Sequence, residues 1–382
     1  MMTLGREWLA LLLLVGTIVG VGMFGIPFQF ARAGFITGAI ELAVLAAAAT
    51  IIHLAYAQVV LSTQSLHRLP GYVSLYLGRA AGWISRTSYL FGLSGTLLAY
   101  LVLGGFFLGT IIQWAFPTAP SLYGPLAFYI LGVGIIFRSL RFESLANALL
   151  TFALIIAIAV LALTLLPAST ASFLTTFRRG GIFIPYGVIL FSLSGAAIIP
   201  DCRRLFDSGH LASLGRIIIV GTIFSALLYL IFAAAVVGAL GDRVSPDAIS
   251  GLAEQFGRAY LIAGSLIGFL ATITSFITLG LVFKGMFVSD FRIRASRAWF
   301  LVSAIPVVLY FLGFQDFIAI ISMVGAVAIG LDSIFILLVH RRAALAQDRL
   351  PELRIPIPGF LRLVLILIFS GGMTYELFSY FR

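Results

Sequence analysis

The sequence predicts an all-α polytopic membrane protein with about 11 transmembrane helices of roughly 20 apolar residues each. Three observations carry this. Of the 382 residues, 61% are hydrophobic and only 10% charged, where soluble chains hold about 25% charged residues. The mean hydropathy is +1.14. The apolar residues fall into long runs separated by short loops, and no soluble fold of this length can hide so much apolar surface. The runs lie near 8–32, 35–62, 82–116, 121–138, 142–166, 183–205, 212–240, 259–287, 297–313, 317–339 and 359–381. The third is long enough to predict strong tilt in a bilayer.

The first run begins at Trp8 and lacks a small-residue cleavage site, so it is expected to stay as a span. The net charge of +10 does not point to nucleic acid, because the basic residues sit between apolar runs. With the N-terminus inside, 18 of the 24 basic residues, from Arg6 to Arg362, fall on the inner side. Only Arg32, Arg178, Arg179, Arg243, Arg258 and Arg382 fall outside. That bias predicts a multi-pass inner-membrane protein with its N-terminus in the cytoplasm and its C-terminus outside. Cys202 stands alone, so no internal disulfide forms, and no Cys/His cluster predicts a metal site. His53, His67, His210 and His340 are scattered over different spans and loops, which argues against an enzyme.

Two connections read as ordered. Residues 69–78 are amphipathic and predict a short interfacial helix on the inner side. Ser245-Pro246-Asp247 is a helix-start signature, predicting an external helix over 246–256 that caps the protein.

Two spans carry interruptions. The first contains Gly16-Thr17-Ile18-Val19-Gly20-Val21-Gly22-Met23-Phe24-Gly25-Ile26-Pro27, and the sixth Ser192-Leu193-Ser194-Gly195-Ala196-Ala197-Ile198-Ile199-Pro200. Aligned, Gly22 falls on Gly195 and Pro27 on Pro200, with isoleucine before each proline. Glycine and proline weaken a helix, and unwound backbone survives in a membrane only inside protein or beside a cavity. Paired interruptions in corresponding halves point to a transporter binding site. Amides freed at a half-helix N-terminus attract a carboxylate, and carbonyls freed at the preceding end attract an ammonium or a cation. A zwitterionic amino acid suits both. Five spans per half is an odd number, so the halves run in opposite senses. The plainer alternative is that the glycines only let helices pack closely.

The first-span motif, followed by Ala33-Gly34-Phe35, resembles the hydroxy/aromatic amino acid permease family, within the amino acid/auxin branch of the amino acid-polyamine-organocation superfamily. Ala99-Tyr100 with Gly104-Gly105, and Thr274-Ser275-Phe276 with Lys284 and Asp290 beyond, are similar to that family's third and eighth spans. The resemblance implies a LeuT-type fold of 5+5 inverted repeats in a single transporter domain over 1–382. The first repeat spans 8–166, the second 183–340, and an additional helix 359–381. It implies a symporter for aromatic or other neutral amino acids working by alternating access, with an ion-independent exchanger or an amino acid sensor as alternatives.

Carried over by position, amides around Val21, Gly22 and Met23 would meet the substrate carboxylate, and Tyr100 would approach it. Carbonyls near Val19 and Gly20 and at Phe191, Ser192 and Ser194 would meet the ammonium, with Gly195 in the same break. Gly104, which leaves room for a large side chain, Leu193 and the region Ser322 to Gly325 would meet the substrate side chain. No cofactor is expected. The coupling ion is Na+ or H+. The carbonyls of Gly16, Val19 and Ala271 with the hydroxyls of Thr274 and Ser275 would hold sodium, unless those hydroxyls only bond helix carbonyls. Met23 stands where a second sodium site would need an amide. For protons, span five lacks the lysine of some relatives, and Lys284 is the only lysine. Asp332 is the leading gate or proton candidate, with Glu41, His53 and Glu376 less favoured. Arg203 and Arg204 beside Asp201 and Asp207 would make at most a modest inner gate. Expected partners are the amino acid and membrane lipid, without nucleic acid, and the protein is expected to function as a monomer.

Overall fold

The computed structural model describes residues 2–138, 143–206, 211–346 and 348–380. Arg141, Asp207, His210 and Arg382 lie outside the described residues. In chain order the helices are α1 (Met2–Ile18), α2 (Gly22–Ala33), α3 (Phe35–Ser62), α4 (Leu69–Leu77), α5 (Arg79–Ala115), α6 (Tyr123–Arg138) and α7 (Glu143–Leu165). Then come α8 (Ala171–Leu174), α9 (Tyr186–Ser192), α10 (Ile199–Arg204), α11 (Ser213–Leu240), α12 (Ile249–Phe256) and α13 (Arg258–Ser289). The last are α14 (Ala295–Phe311), α15 (Phe317–Met323), α16 (Gly330–Ala346) and α17 (Gly359–Tyr380).

Seven helical stretches are long and apolar enough to cross a membrane alone: α3, α5, α7, α11, α13, the run from α15 to α16, and α17. α1 and α2 together make another, bent by 51° at the break between them. α6 and α14 are shorter apolar helices. With the interrupted pair α9 and α10, the described residues form the eleven segments expected. α5 has 37 residues, or about 55 Å of helix, well beyond a hydrocarbon core of about 30 Å.

The broken segments sit centrally. α1 packs on α11, α7 and α13, and α2 on α11, α3 and α9. α5 runs along α13 and α6, and α3 along α11 and α16. This buries the broken backbone itself, residues 19–21 and the start of α2, among longer helices, the condition under which it is tolerated in a membrane.

The two breaks differ in detail. In the first segment only residues 19–21 leave the helix, and Pro27 lies inside α2. In the sixth, residues 193–198 form a loop with one tight 3₁₀ turn, and Pro200 sits in the first turn of α10, where its missing N–H costs nothing. The aligned prolines therefore occupy different helix positions. A third irregularity had no sequence signal: Val324–Ile329 between α15 and α16 is a π-helical stretch.

α4 forms where expected, with Pro70 in its first turn. The external helix starts later than the signature predicts. Ala248 turns the chain at φ +60°, so α12 begins at Ile249, and Ser245 and Asp247 serve it from upstream. The Gly251 amide donates to Ser245 Oγ at 2.9 Å and the Ser250 amide to Asp247 Oδ1 at 3.2 Å.

Candidate functional site

The first break is a tight turn. The Gly20 amide donates to Ile18 O at 2.8 Å, and that of Met23 reaches Gly20 O only at 3.4 Å. The amides of Val21 and Gly22 thus open α2, where a helix has no internal acceptors to offer them. Glycine is required here by crowding. A Cβ on Gly20 would lie 2.6 Å from the Tyr100 hydroxyl, and one on Gly22 would lie 2.9 Å from both Phe191 Cδ1 and Ser192 Cα. The two breaks therefore meet backbone to backbone.

In the second break the Ser194 amide donates to Phe191 O at 3.1 Å and the Leu193 amide to Ile189 O at 2.9 Å. The Gly195 amide donates to Nε2 of His53 at 3.1 Å. That acceptor role leaves the ring proton on Nδ1, which faces Thr222 Oγ1 of α11 at 3.1 Å. His53 thereby ties α3 and α11 to the break, instead of bonding a helix carbonyl. Tyr229 of α11 does the same for both breaks. Its hydroxyl lies 2.6 Å from Ile18 O and 2.9 Å from Ser192 O, the last carbonyls before each interruption. Ser192 O therefore accepts from a phenol, and Phe191 O from Ser194. Each of these carbonyls keeps a second lone pair, so these contacts leave their expected role as ammonium acceptors, with that of Ser194, open.

A narrow cavity of about 70 Å³ runs from the breaks toward α4. Gly22, Tyr100, Phe191, Ser192, Ser194 and Asp332 all line it, so one space unites these six of the positions singled out from sequence. Tyr56, Tyr89 and Thr96 line it as well. Val19, Val21, Met23 and Leu193 do not, because their side chains are fully buried in packing. Gly104 is a further correction. A Cβ there would lie 2.6 Å from Phe128 Cζ and 2.8 Å from Thr272 Oγ1. Its missing side chain admits α6 and α13 instead of a large substrate.

The sodium candidates come together only in part. Ser275 Oγ donates to Gly16 O at 3.1 Å, joining α13 to α1. Thr274 Oγ1 turns back on its own helix, 2.9 Å from Leu270 O and 3.3 Å from Ala271 O. Val19 is fully buried beside them. Thr151 of α7, which the sequence reading overlooked, packs on the Gly16 backbone, and its buried hydroxyl makes no hydrogen bond among the described residues. Two oxygens at right angles around a hard cation, each at roughly 2.4 Å, lie about 3.4 Å apart. The Ser275–Gly16 spacing is close to that edge, and the unpaired Thr151 hydroxyl adds an oxygen at the same corner. Both expected hydroxyls are engaged with helix carbonyls, and of the five expected oxygens only Ser275 Oγ and Gly16 O are brought together.

Asp332 has a hydrogen-bond partner. Ser88 Oγ of α5 lies 2.9 Å from Asp332 Oδ1 and 3.2 Å from Ala328 O in the π-helical stretch. One carboxylate oxygen of Glu41 is buried with no hydrogen-bond partner among the described residues. The end of the cavity near Leu69 and Ala197 is bounded by a pair that the charge pattern hid. Arg68, 9% exposed, grips Asp201 with Nη1 at 2.5 Å from Oδ2 and Nη2 at 3.2 Å from Oδ1, while Nη1 also donates to Ala197 O at 3.1 Å. Burial opposes the charge on Arg68, but the Asp201 carboxylate more than offsets it, so the guanidinium holds its proton even more firmly than usual. Arg204 joins Asp201 at 3.1 Å from the exposed side. The expected Arg204–Asp201 contact exists, but Arg68 is the buried half.

Residues 6–377 match the tryptophan/tyrosine permease family. The chain belongs to that family. This permease is 22% identical over 274 residues to glutamine transporter 2 of Aliivibrio fischeri, covering 70% of this chain and 71% of the other. Its fold is similar to the crystal structure of MhsT in complex with L-phenylalanine, with a TM-score of 0.72, 16% identity, and coverage of 97% of this chain and 98% of that one. The fold is LeuT-type. Family and fold make this permease an amino acid transporter and not an enzyme.

Proposed function

We propose that this permease is a sodium-driven symporter of neutral amino acids, aromatic ones foremost, working by alternating access across the cytoplasmic membrane with its N-terminus inside. The observation that carries the coupling is the Ser275 hydroxyl against Gly16 O at 3.1 Å. It puts a hard-oxygen corner where α1 ends, so an ion bound there would brace α1 on α13 while the adjoining break holds substrate. The Val21 and Gly22 amides take the carboxylate at the positive end of α2, and the Ser194 carbonyl takes the ammonium. The side chain extends into the cavity past Tyr100 and Thr96. At about 70 Å³ the cavity is smaller than such a ligand, so its lining must part as substrate enters. The family's description and the phenylalanine in the MhsT structure favour an aromatic side chain, and the Aliivibrio fischeri relative makes glutamine the first competitor to test.

Proton coupling is the second reading, favoured by Asp332 in the cavity wall with Ser88 as its partner. Equilibrium binding of labelled tyrosine, tryptophan and glutamine to purified protein, in sodium and in choline, separates the two. The sodium reading expects tight binding in sodium alone, with Ser275→Ala raising the sodium concentration needed at least tenfold. Binding indifferent to sodium, yet altered in its pH profile by Asp332→Asn, replaces that reading with the proton one.

A further inference from the structure

A second cavity, of about 640 Å³, opens between α4, the start of α5 and the turn after α13, away from the transport path. Arg79, Arg86 and Arg292 line it, against one acidic side chain, Asp290. None of the three arginines forms an ion pair among the described residues. Arg86 is held in place by aromatic faces, its guanidinium carbon 5.0 Å from the Trp83 ring and 5.6 Å from that of Phe291, and its buried Nε has no acceptor. Asp290 forms no ion pair with the three arginines among the described residues, although Arg86 is near enough to favour its charge. One carboxylate oxygen accepts from Ser289 at 3.2 Å, the other is buried without a partner, and burial raises the carboxyl above its usual range. Arg292 is fixed at the rim by a left-handed turn at φ +55°.

The lip of the cavity is apolar. Leu75 is 56% exposed and Trp83 61%, and Trp is a residue that favours the headgroup level of a bilayer. α4 lies on the same rim as an amphipathic surface helix. A soluble anion has no use for such a lip, whereas a phospholipid lays its first methylenes on it.

We propose that this cavity binds the headgroup of an anionic phospholipid, its phosphate held by Arg79, Arg86 and Arg292 and its glycerol end resting on Leu75 and Trp83. A basic recess between helices at the membrane surface is the usual form of such sites, and each arginine near the surface favours an anionic lipid by about fivefold. A bound lipid would clamp α4 to α5 and to the end of α13. His67, on the cavity wall, precedes Arg68 of the buried pair, so occupancy would also steady that end of the transport cavity.

Trp83 supplies its own reporter. The full-length protein is reconstituted in phosphatidylcholine with increasing brominated phosphatidylglycerol or brominated phosphatidylcholine. The quenching due to Trp83 is isolated by subtracting the Trp83→Phe protein. The proposal expects half-maximal quenching at a mole fraction of phosphatidylglycerol at least tenfold below that of phosphatidylcholine. Arg79→Gln/Arg292→Gln, two exposed changes that leave the packing intact, should erase that preference. Equal quenching by the two lipids, or a preference that survives the double variant, overturns it. So does loss of the preference on adding millimolar inorganic phosphate, which would make the site one for a soluble anion.

Discussion

Asp201→Asn should loosen the end of the transport cavity beside α4, and the size of the effect follows from the geometry. Removing one member of a buried ion pair costs about 3–5 kcal/mol. Here the Asp201 side chain keeps 22% exposure, and asparagine retains one acceptor for Arg68, so about 2 kcal/mol is the reasonable share. If the pair holds only the closed arrangement, that loss raises the opened population about 30-fold. The neighbouring Cys202 reads the change. It is the chain's only cysteine, 1% exposed, with Sγ 3.8 Å from Ala10 O of α1. A maleimide can reach it only when α10 parts from α1. Maleimide labelling should therefore be about 30-fold faster in Asp201→Asn. Arg204→Gln, which removes only an exposed pair worth under about 1 kcal/mol, should stay within a few-fold of the parent. A parental labelling rate in folded Asp201→Asn protein would refute the reasoning.

Two other predictions concern the clamps on the breaks. His53→Leu strands the Gly195 amide, which costs about 1–3 kcal/mol and should weaken amino acid binding by roughly tenfold or more. His53→Gln can accept the same amide and should bind within a few-fold of the parent, and equal loss in both variants would mean that the imidazole does something else. Tyr229→Phe leaves Ile18 O and Ser192 O without their shared donor. A fall in thermal unfolding temperature together with weaker binding is expected, and an unchanged protein on both measures would show that the phenol proton is dispensable.

Much of the fold could be read from the chain because lipid imposes a simple code. Apolar runs of spanning length marked the segments, and the glycines around Gly22 and Gly195 marked the breaks; at Gly22 the Ser192 backbone leaves no room for a side chain. Gly22, Tyr100, Ser194 and Asp332, singled out from sequence, line one cavity. The site was illegible where meaning depends on a distant partner. Arg68 looked like one more loop arginine until Asp201, in a segment more than a hundred residues away, met it. His53 and Tyr229 gave no sign of their acceptor and donor roles, because the groups they serve are backbone atoms of other segments. Gly104 was misread for the same reason, as nothing local says that Phe128 and Thr272 fill the space. The π-helical stretch at Val324–Ile329 had no breaker residue except Gly325, and tertiary packing rather than propensity sets it.

The central claim is that an amino acid bound at the two breaks is carried across the membrane by a sodium gradient. It is tested most directly by labelled tyrosine uptake into proteoliposomes under an inward sodium gradient, with Gly22→Leu alongside because any side chain there meets Phe191 and Ser192. The account predicts accumulation above equilibrium that collapses without sodium and vanishes in Gly22→Leu. Tyrosine that never rises above equilibrium, or a Gly22→Leu protein that accumulates it as the parent does, would contradict it.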